Sequence, residues 1–542
     1  MLLSLTSKLL SLLLVAPVLG AITFDEIAKK PASRAKNFMI WQYLKQDITP
    51  KEASKAYKLV DGSHSKLFFA YAKKTDDKKI IEKARCRRLI AKEITLKESD
   101  VCIKLSLSVG KSLHLSPSLR SDLSKRLGEN YRYLDFLNEN NFSKRVADFD
   151  AKTFVKVLNS GGQSYRRKYF NQLLDANTTQ KLSKVKGFNQ SVKLITTDKE
   201  LIQLQRSLLT LDSKHLNAQT NFFLALNQVR HLNYAKAMQL LQVVYNTSYY
   251  QMDKDKATFW MYLVSKNKMY LHDLTNSFDI NMYTLYAKES LGIEVNNFFS
   301  KVRTNNKAKK YDVQDPFVWN EILKEIKATP KGELFALARK YQHPSLQAVQ
   351  GFILERAYSY KTHEYLLPYF SMMQEMPLER KILMYSLMKQ ESHYIPAALS
   401  RSYALGLMQL MPFLVKVLDK KETPPIEGLS DMFNPERNIK YASKHIAWME
   451  KSLYSPVFMA YAYNGGMGFT KRYILKGNFN KGSFEPFMSM ELMANSESRE
   501  YGKKVLANYV MYKKIFNQEV SIHHLFRNLL MPSKSDRFRE QE

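Results

Sequence analysis

Residues Leu201–Val244 read LIQLQRSLLTLDSKHLNAQTNFFLALNQVRHLNYAKAMQLLQVV. Apolar residues recur there in three sets: Leu204, Leu208, Leu209 and Leu211; then Phe222, Phe223, Leu226 and Val229; then Ala237, Leu240, Leu241 and Val244. Spacings of three and four put each set on one face of a helix. The breaks at Asn217 and at His231–Asn233 are short, so successive helices are expected to pack as antiparallel hairpins. A pair with one apolar face needs a neighbour on each side. That favours a stacked solenoid over an isolated bundle. No strict repeat period emerges, so the solenoid is expected to be irregular, with an ordinary globular helical domain as the alternative. The same character, with few turn residues, runs from about Ala21 to Tyr360.

Beyond roughly Glu355 the composition changes. Of 18 glycines, Gly406, Gly428, Gly465, Gly466, Gly468, Gly477, Gly482 and Gly502 lie in this last third. Glycine enrichment brings tight turns and close backbone approaches. A compact C-terminal domain is therefore expected from about Tyr360. A chain of 542 residues exceeds a single hydrophobic core, so two to four domains are expected.

The N-terminal stretch MLLSLTSKLLSLLLVAPVLGA has Lys8, an apolar run from Leu9 to Val15, and small residues at Ala16, Gly20 and Ala21. That is the layout of a secretory signal peptide, and the run is short for a membrane span. The alternative is a first helix of the mature fold. Export to the periplasm without stable membrane insertion follows as the expectation. The two cysteines, Cys86 and Cys102, would then meet an oxidising compartment, where they either pair or stay as separately buried thiols. No histidine accompanies them at metal-ligand spacing.

The formal charge of +32 calls for an anionic partner or surface. Nucleic acid is disfavoured, because the lysines are spread along the chain and an exported protein rarely meets it. Cell-wall peptides carry carboxylates and envelope lipids carry phosphates, and charge alone does not choose between them. No phosphate loop, nucleotide-binding glycine pattern or clustered metal ligands occur, so no cofactor and no metal are expected.

The recognisable chemistry sits in the last third. Leu378–Gln390, LERKILMYSLMKQ, is an apolar helix running into Glu391, Ser392 and His393. A carboxyl at such a helix end, near Tyr385, His393 and Tyr394, would be partly desolvated and raised in pKa, as a general acid requires. Taken alone, a glutamate at a helix end is usually a solvated surface residue. Downstream stand Ser400, then Gly406-Leu407-Met408-Gln409-Leu410-Met411-Pro412, then Ala462-Tyr463-Asn464-Gly465-Gly466, and finally Glu497-Ser498-Arg499-Glu500-Tyr501. Each has an ordinary structural reading. Met408 and Met411 on a helix suit core packing, Gly406 a turn, Tyr463 a buried aromatic, and Asn464-Gly465-Gly466 a plain turn. In Asp431–Ile439, Asn434 is a helix cap and Pro435 the first helical residue.

Together these strings resemble the soluble lytic transglycosylases with a goose-type-lysozyme-like catalytic domain. The Glu-Ser pair, the GLMQ string, the AYN-x-G string and the final E-[ST]-R-x-Y string occur in that family's order across about Leu378–Tyr501. The resemblance implies a mainly α protein, with an irregular α-superhelical, ring-like N-terminal region followed by a lysozyme-like catalytic domain. The implied divisions are a signal peptide (1–20), a superhelical domain (21–300), a helical linker domain (301–360) and the catalytic domain (361–542). Glu391 becomes the catalytic acid/base, and Ser400 a serine whose hydroxyl contacts that carboxyl region. Met408, Gln409 and Met411 would line the glycan groove. Tyr463 and Asn464 would lie beside the scissile bond, with Glu497 and Tyr501 bordering the groove. The chain departs from the family at Gly465, commonly Ala, and at Ala442 and His445, commonly Gly and Tyr. The first is expected to be harmless, while the other two put local packing in question.

Most glycosidases bracket the bond with two carboxylates, but here only Glu391 occupies a motif position. The resemblance implies that the substrate supplies the nucleophile. Glu391 would protonate the leaving oxygen of the MurNAc–GlcNAc β-1,4 bond, then take the proton from the C6 hydroxyl as it closes a 1,6-anhydro ring. A ring-shaped enzyme would act from a strand end. The rivals are a hydrolase in which Glu497 or Asp431 orients water, and a catalytically idle glycan-binding scaffold. The implied partners are peptidoglycan strands, with other cell-wall enzymes as candidates, and the protein is expected to be a monomer.

Overall fold

The computed structural model describes residues 22–540; the signal peptide assigned to residues 1–20 lies outside them. The fold is mainly α. Among the described residues the strands are Phe298–Phe299 and His363–Glu364, paired in parallel, and nearly everything else regular is helix.

In the stretch that opened the sequence reading, Asn217 caps the helix Ala218–Arg230, its side chain accepting the Thr220 N–H at 2.9 Å. Tyr234–Thr247, Gln251–Ser265, Met269–Thr275 and Met282–Ser290 follow, each packed against the one before. One feature differs from the sequence expectation. The first apolar set does not complete a helix: Ile202–Ser207 is helical, and Leu208 and Leu211 are buried in the turns after it. The next helix makes this early ending affordable. Side-chain amides of Asn227 and Gln228 donate to the carbonyls of Gln205 and Leu209, at 2.9 and 2.8 Å. Orphaned helix-end carbonyls are thus satisfied without extending the helix.

The first four helices, Phe24–Lys29, Arg34–Tyr43, Pro50–Tyr57 and Ser65–Tyr71, enclose a small core of their own around Ile27, Ile40, Leu44, Ala53 and Leu67. This unit docks on a loop of the C-terminal third. The Arg34 guanidinium donates to the Leu399 carbonyl at 2.8 Å, and the Lys66 ammonium to that of Ser402 at 2.6 Å. Phe38 and Trp41 set their rings 5.3 and 5.2 Å from Tyr403. Beyond it, the helices Lys78–Arg88 and Asp100–Ser106 are joined by a disulfide between Cys86 and Cys102, with Cα atoms 5.0 Å apart.

The helical region touches the C-terminal third a second time. Lys199 donates to the Gly477 carbonyl at 2.8 Å, and Tyr234 packs edge-on against Phe484. Deeper in, the fully buried Lys503 ammonium lies 2.9 Å from both Glu491 and Glu500, and the Tyr283 hydroxyl donates to Glu491. Burial opposes the Lys503 charge, but the two carboxylates more than offset it and hold its pKa above the ordinary value. The compositional boundary near Tyr360 is not a structural gap. The strand pair crosses it, and Ala397 donates to the Val313 carbonyl at 3.1 Å. No helix among the described residues is long and apolar enough to cross a membrane.

Two stability predictions follow from these links. Lys503→Ala leaves Glu491 buried without its counter-charge and should cost about 3–5 kcal/mol in urea unfolding. Reducing Cys86–Cys102, which closes a loop of sequence separation 16, should lower stability by about 3 kcal/mol on the chain-entropy account. Unchanged unfolding midpoints would contradict either one.

Candidate active site

Three helices meet at the site. Leu378–Ser392 is buried along most of its length, from Ile382 to Lys389, and stops at His393 in the left-handed conformation, φ 50°. Glu391 lies in its last turn, part-buried. Pro456–Gly465 starts with Ser455 as cap and Pro456 in the first turn, and ends at Gly466, φ 89°. Ser496–Ile515 is capped by Asn495 and packs against both of the others. The approach is close at Gly502: a Cβ there would stand 2.2 Å from the Tyr461 ring. Any side chain at that point would push the helix carrying Tyr501 outward.

The Tyr501 hydroxyl donates to Glu391 Oε1 at 2.7 Å. Burial pushes the Glu391 pKa up to about 7; the Tyr501 hydrogen bond works against this, and the negative charge of Glu497 adds to it. The carboxyl is thus poised between its acid and base forms near neutrality, as proton transfer in both directions requires. Tyr501 and Tyr463 are both pushed well above the ordinary phenol value, by burial first and by the Glu391 charge second, so both act as neutral donors. The Tyr463 hydroxyl donates to the Met408 carbonyl at 2.6 Å.

The loop Ala398–Met411 forms the adjoining wall. Leu405 and Leu410 pair across a tight turn, with Gly406 at φ 73° and Gln409 at φ 47°. A Cβ on Gly406 would meet the Met432 carbonyl at 2.1 Å, so the turn requires glycine there. The Gln409 side chain donates to the carbonyls of Ala398 and Gly406, both at 2.9 Å. Asn438, buried, accepts the Met408 N–H at 2.9 Å and donates to the Leu405 and Met432 carbonyls at 3.0 and 2.8 Å. Asn464 donates to Glu497 at 3.1 Å and accepts from the Ser498 hydroxyl at 2.7 Å, so both ends of its amide are fixed.

Several sequence expectations change here. Met408 and Met411 are not on a helix: the string is a turn, and Met411 is the residue before the helix Pro412–Asp419. Met408 does not line an open groove. Its side chain is fully buried, and what it offers is the backbone carbonyl held by Tyr463. The Ser400 hydroxyl accepts the N–H groups of Ser402 and Ala404, at 3.2 and 2.8 Å, and so shapes the loop. Tyr385 and Tyr394, expected near the carboxyl, give their hydroxyls to the Pro368 carbonyl and to Tyr512. Asp431 accepts the Glu427 N–H at 3.0 Å. At Gly465 a Cβ would stand 2.7 Å from both the Ser498 hydroxyl and the Phe469 ring, so these side chains fill the space the glycine leaves. At the other two departures, Ala442 is buried, and His445 stacks on Trp448 at 5.7 Å and lies tilted against Tyr463 at 5.9 Å.

Sequence reasoning missed the anchor beneath the Glu391 helix. His393 Nδ1 lies 2.7 Å from Glu364, and Lys389 3.5 Å from Glu355, with His363 3.4 Å from Glu355 on the other side. Burial pushes the Glu355 carboxyl up, yet Lys389, His363 and His393 together hold it well below the usual range. These residues come from separate parts of the chain, so local spacing carries no signal for them. The three ligand-type groups Glu355, Glu364 and His393 lie within 4.8 Å of one another, and the neighbouring Lys389 supplies positive charge in their midst. We read them as an ion network.

Residues 368–483 match the family model of the Transglycosylase SLT domain, a span that includes Glu391 and Tyr463 and stops short of Glu497 and Tyr501. The chain is similar to a putative soluble lytic murein transglycosylase of Haemophilus influenzae, 26% identical over 206 residues, which is 37% of this chain and 34% of that one. It is also similar to a soluble lytic murein transglycosylase of Salmonella typhimurium, 29% identical over 136 residues, 25% of this chain and 21% of that one. The matches span about a third or less of the length of these curated relatives. Among solved structures, an inactive mutant of the lytic transglycosylase Slt from Pseudomonas aeruginosa shares the fold with a TM-score of 0.51. The identity is 14%, over 93% of this chain and 91% of that chain.

The raised Glu391 carboxyl has a measurable stability signature. Between its ordinary pKa of 4.5 and its folded value of about 7, the native state holds a proton that the unfolded chain has released, so stability falls as pH rises through that window. Glu391→Gln removes the penalty and should stabilise the protein by about 3 kcal/mol at pH 8, with the difference fading below pH 4.5. Equal urea midpoints for the two proteins at pH 8 would count against a desolvated carboxyl. Tyr501→Phe removes the bond that favours the charged form, so the Glu391 titration should move further up, as read by carboxyl infrared difference spectra.

Proposed function

We propose that this protein is an exported, periplasmic peptidoglycan lytic transglycosylase that cleaves the MurNAc–GlcNAc β-1,4 bond without water. The observation that carries this reading is Glu391: a desolvated carboxyl poised near pH 7, held by one neutral phenol, with Glu497 engaged by Asn464. The match to the Transglycosylase SLT domain model over residues 368–483 supports the substrate class.

In the first step protonated Glu391 gives its proton to the bridging oxygen, and the C1–O bond breaks with its electron pair leaving on that oxygen. The N-acetyl oxygen of the MurNAc unit stabilises the positive charge at the anomeric carbon. Glu391, now a carboxylate and still bonded to Tyr501, takes the proton of the C6 hydroxyl as O6 attacks C1. The products are a 1,6-anhydro end and a free GlcNAc 4-hydroxyl, and the carboxyl is protonated again. One group acting in both directions needs a pKa between those of a good acid and a good base, and intramolecular attack needs no recruited solvent molecule. The N-terminal unit seated on the loop Leu399–Tyr403 supports a superhelical region closed around a lysozyme-like domain, and hence action from a strand end.

Mass spectrometry of purified peptidoglycan after incubation tests this. The wild type should release 1,6-anhydro muropeptides, and Glu391→Gln none. Reducing-end products from the wild type would make the protein a hydrolase, and release of the same anhydro products by Glu391→Gln would remove Glu391 from its role. Turnover should decline as pH rises above about 7, where the acid form is lost.

A further inference from the structure

Five cations share one cleft of the N-terminal helical unit with no carboxylate among its walls. The cavity, about 540 Å3, is lined by Lys45, Lys66, Lys73, Lys74 and Arg88, with Trp41, Leu44 and Phe69 as the main apolar surfaces between them. None of the five has a carboxylate at ion-pair distance among the described residues. Arg85, one turn from Arg88 on the same helix, lies 2.6 Å from Glu82 and 2.7 Å from Glu98. Acids are therefore available to this helix, and they pair with the arginine one turn from Arg88.

The cations are crowded as well as unpaired. Lys45 lies over the Trp41 ring, and Arg88 over Phe69 at 4.4 Å. Burial first, and then repulsion from Lys416 and Lys66, push the Lys45 pKa down to about 8, and burial lowers that of Lys66. Like charges gathered at a partly dry surface are unfavourable until an anion enters. The cleft also borders the site. Lys66 donates to the Ser402 carbonyl, Trp41 packs on Tyr403, and Lys416 belongs to the helix that begins just after Met411.

We propose that this cleft binds the carboxylates of the peptide stems on a glycan strand, holding the strand beside the loop that walls the Glu391 site. The source of the carboxylates rests on the proposed function; the anionic class of the ligand does not. Cations spaced along a cleft by aromatic and aliphatic walls suit an extended chain carrying several carboxylates separated by apolar stems. A compact phosphate would call for converging N–H donors, and the walls here offer separate side-chain cations instead.

Calorimetry with the full-length Glu391→Gln protein tests the proposal without turnover. The probes are glycan strands bearing tetrapeptide stems, the same strands stripped of peptide, the free tetrapeptide, and inorganic phosphate. In the comparison protein Lys73, Lys74 and Arg88, whose side-chain nitrogens make no hydrogen bond among the described residues, are each changed to Gln. It should bind the tetrapeptide and the peptide-bearing strands about tenfold or more weakly, and stripped strands equally well. Restoring Lys73→Arg and Lys74→Arg should recover most of the affinity, and the difference between the proteins should shrink at high salt. Equal affinity of the parent for bearing and stripped strands would overturn the proposal, and so would phosphate binding as tightly as the tetrapeptide. Absence of anhydro products from the wild type would sink the enzymatic reading but leave tetrapeptide binding to be judged separately.

Discussion

The bare backbone at Gly502 lets the helix Ser496–Ile515 lie against the Tyr461 ring, and much of the site follows from that contact. Beside this contact, the Tyr501 hydroxyl meets the Glu391 carboxyl of the third helix, Leu378–Ser392, at 2.7 Å. The same approach brings Ser498 and Glu497 to Asn464, and Gly465 is bare where the Ser498 hydroxyl sits. Two absent side chains therefore set the distance on which a proton-transfer group depends. The cost of placing glycine in helices is modest, about 1 kcal/mol relative to alanine, and a tenth-of-a-nanometre displacement at reacting groups costs far more in rate.

The electrostatics divide cleanly between two kinds of burial. Glu391 is desolvated and given a single neutral donor, which leaves its proton weakly held in either direction. The acids beneath the same helix are buried too but have nitrogen partners: Lys389 and its neighbours hold the Glu355 carboxyl well below the usual range, and Glu364 lies against His393. Lys503 between Glu491 and Glu500 is fixed likewise. Fixed pairs serve as geometry, since breaking one is costly. The unfixed carboxyl is the one suited to exchange its proton. Both follow from which partner the fold delivers: burial raises Glu391 and opposes the charge of Glu355 alike, and only Glu355 is given cations that reverse it.

Much of this was legible in the sequence, for identifiable reasons. Apolar spacing located the helices around Ala218–Arg230 and Leu378–Ser392, and the break at Asn217 and the cap at Asn434 were read directly, because both signals are local. The motif strings pointed to Glu391 and Tyr501, which the fold brings together across 110 residues of chain. What remained hidden was set at a distance. Met408 looked like a groove residue and is core, because the turn at Gly406 and Gln409 rotates it inward. Asn438 pins that turn from another helix, and no spacing rule announces it. The aromatic neighbours of Glu391 were expected from its own helix, and they come instead from Tyr463 and Tyr501.

The loop Leu399–Tyr403 is held from the far N-terminal part of the sequence. Arg34 grips the Leu399 carbonyl across a separation of 365 residues, and Lys66 grips Ser402 across 336. Such long closures are late events in folding, because their entropic cost falls due before their contacts reward it. A growing chain thus makes its first helical unit at the outset and must carry it, small core and all, until the final third exists to receive it. The loop Leu399–Tyr403 gains these two restraints only then, so its anchoring is tied to the docking of a unit made far earlier in the chain.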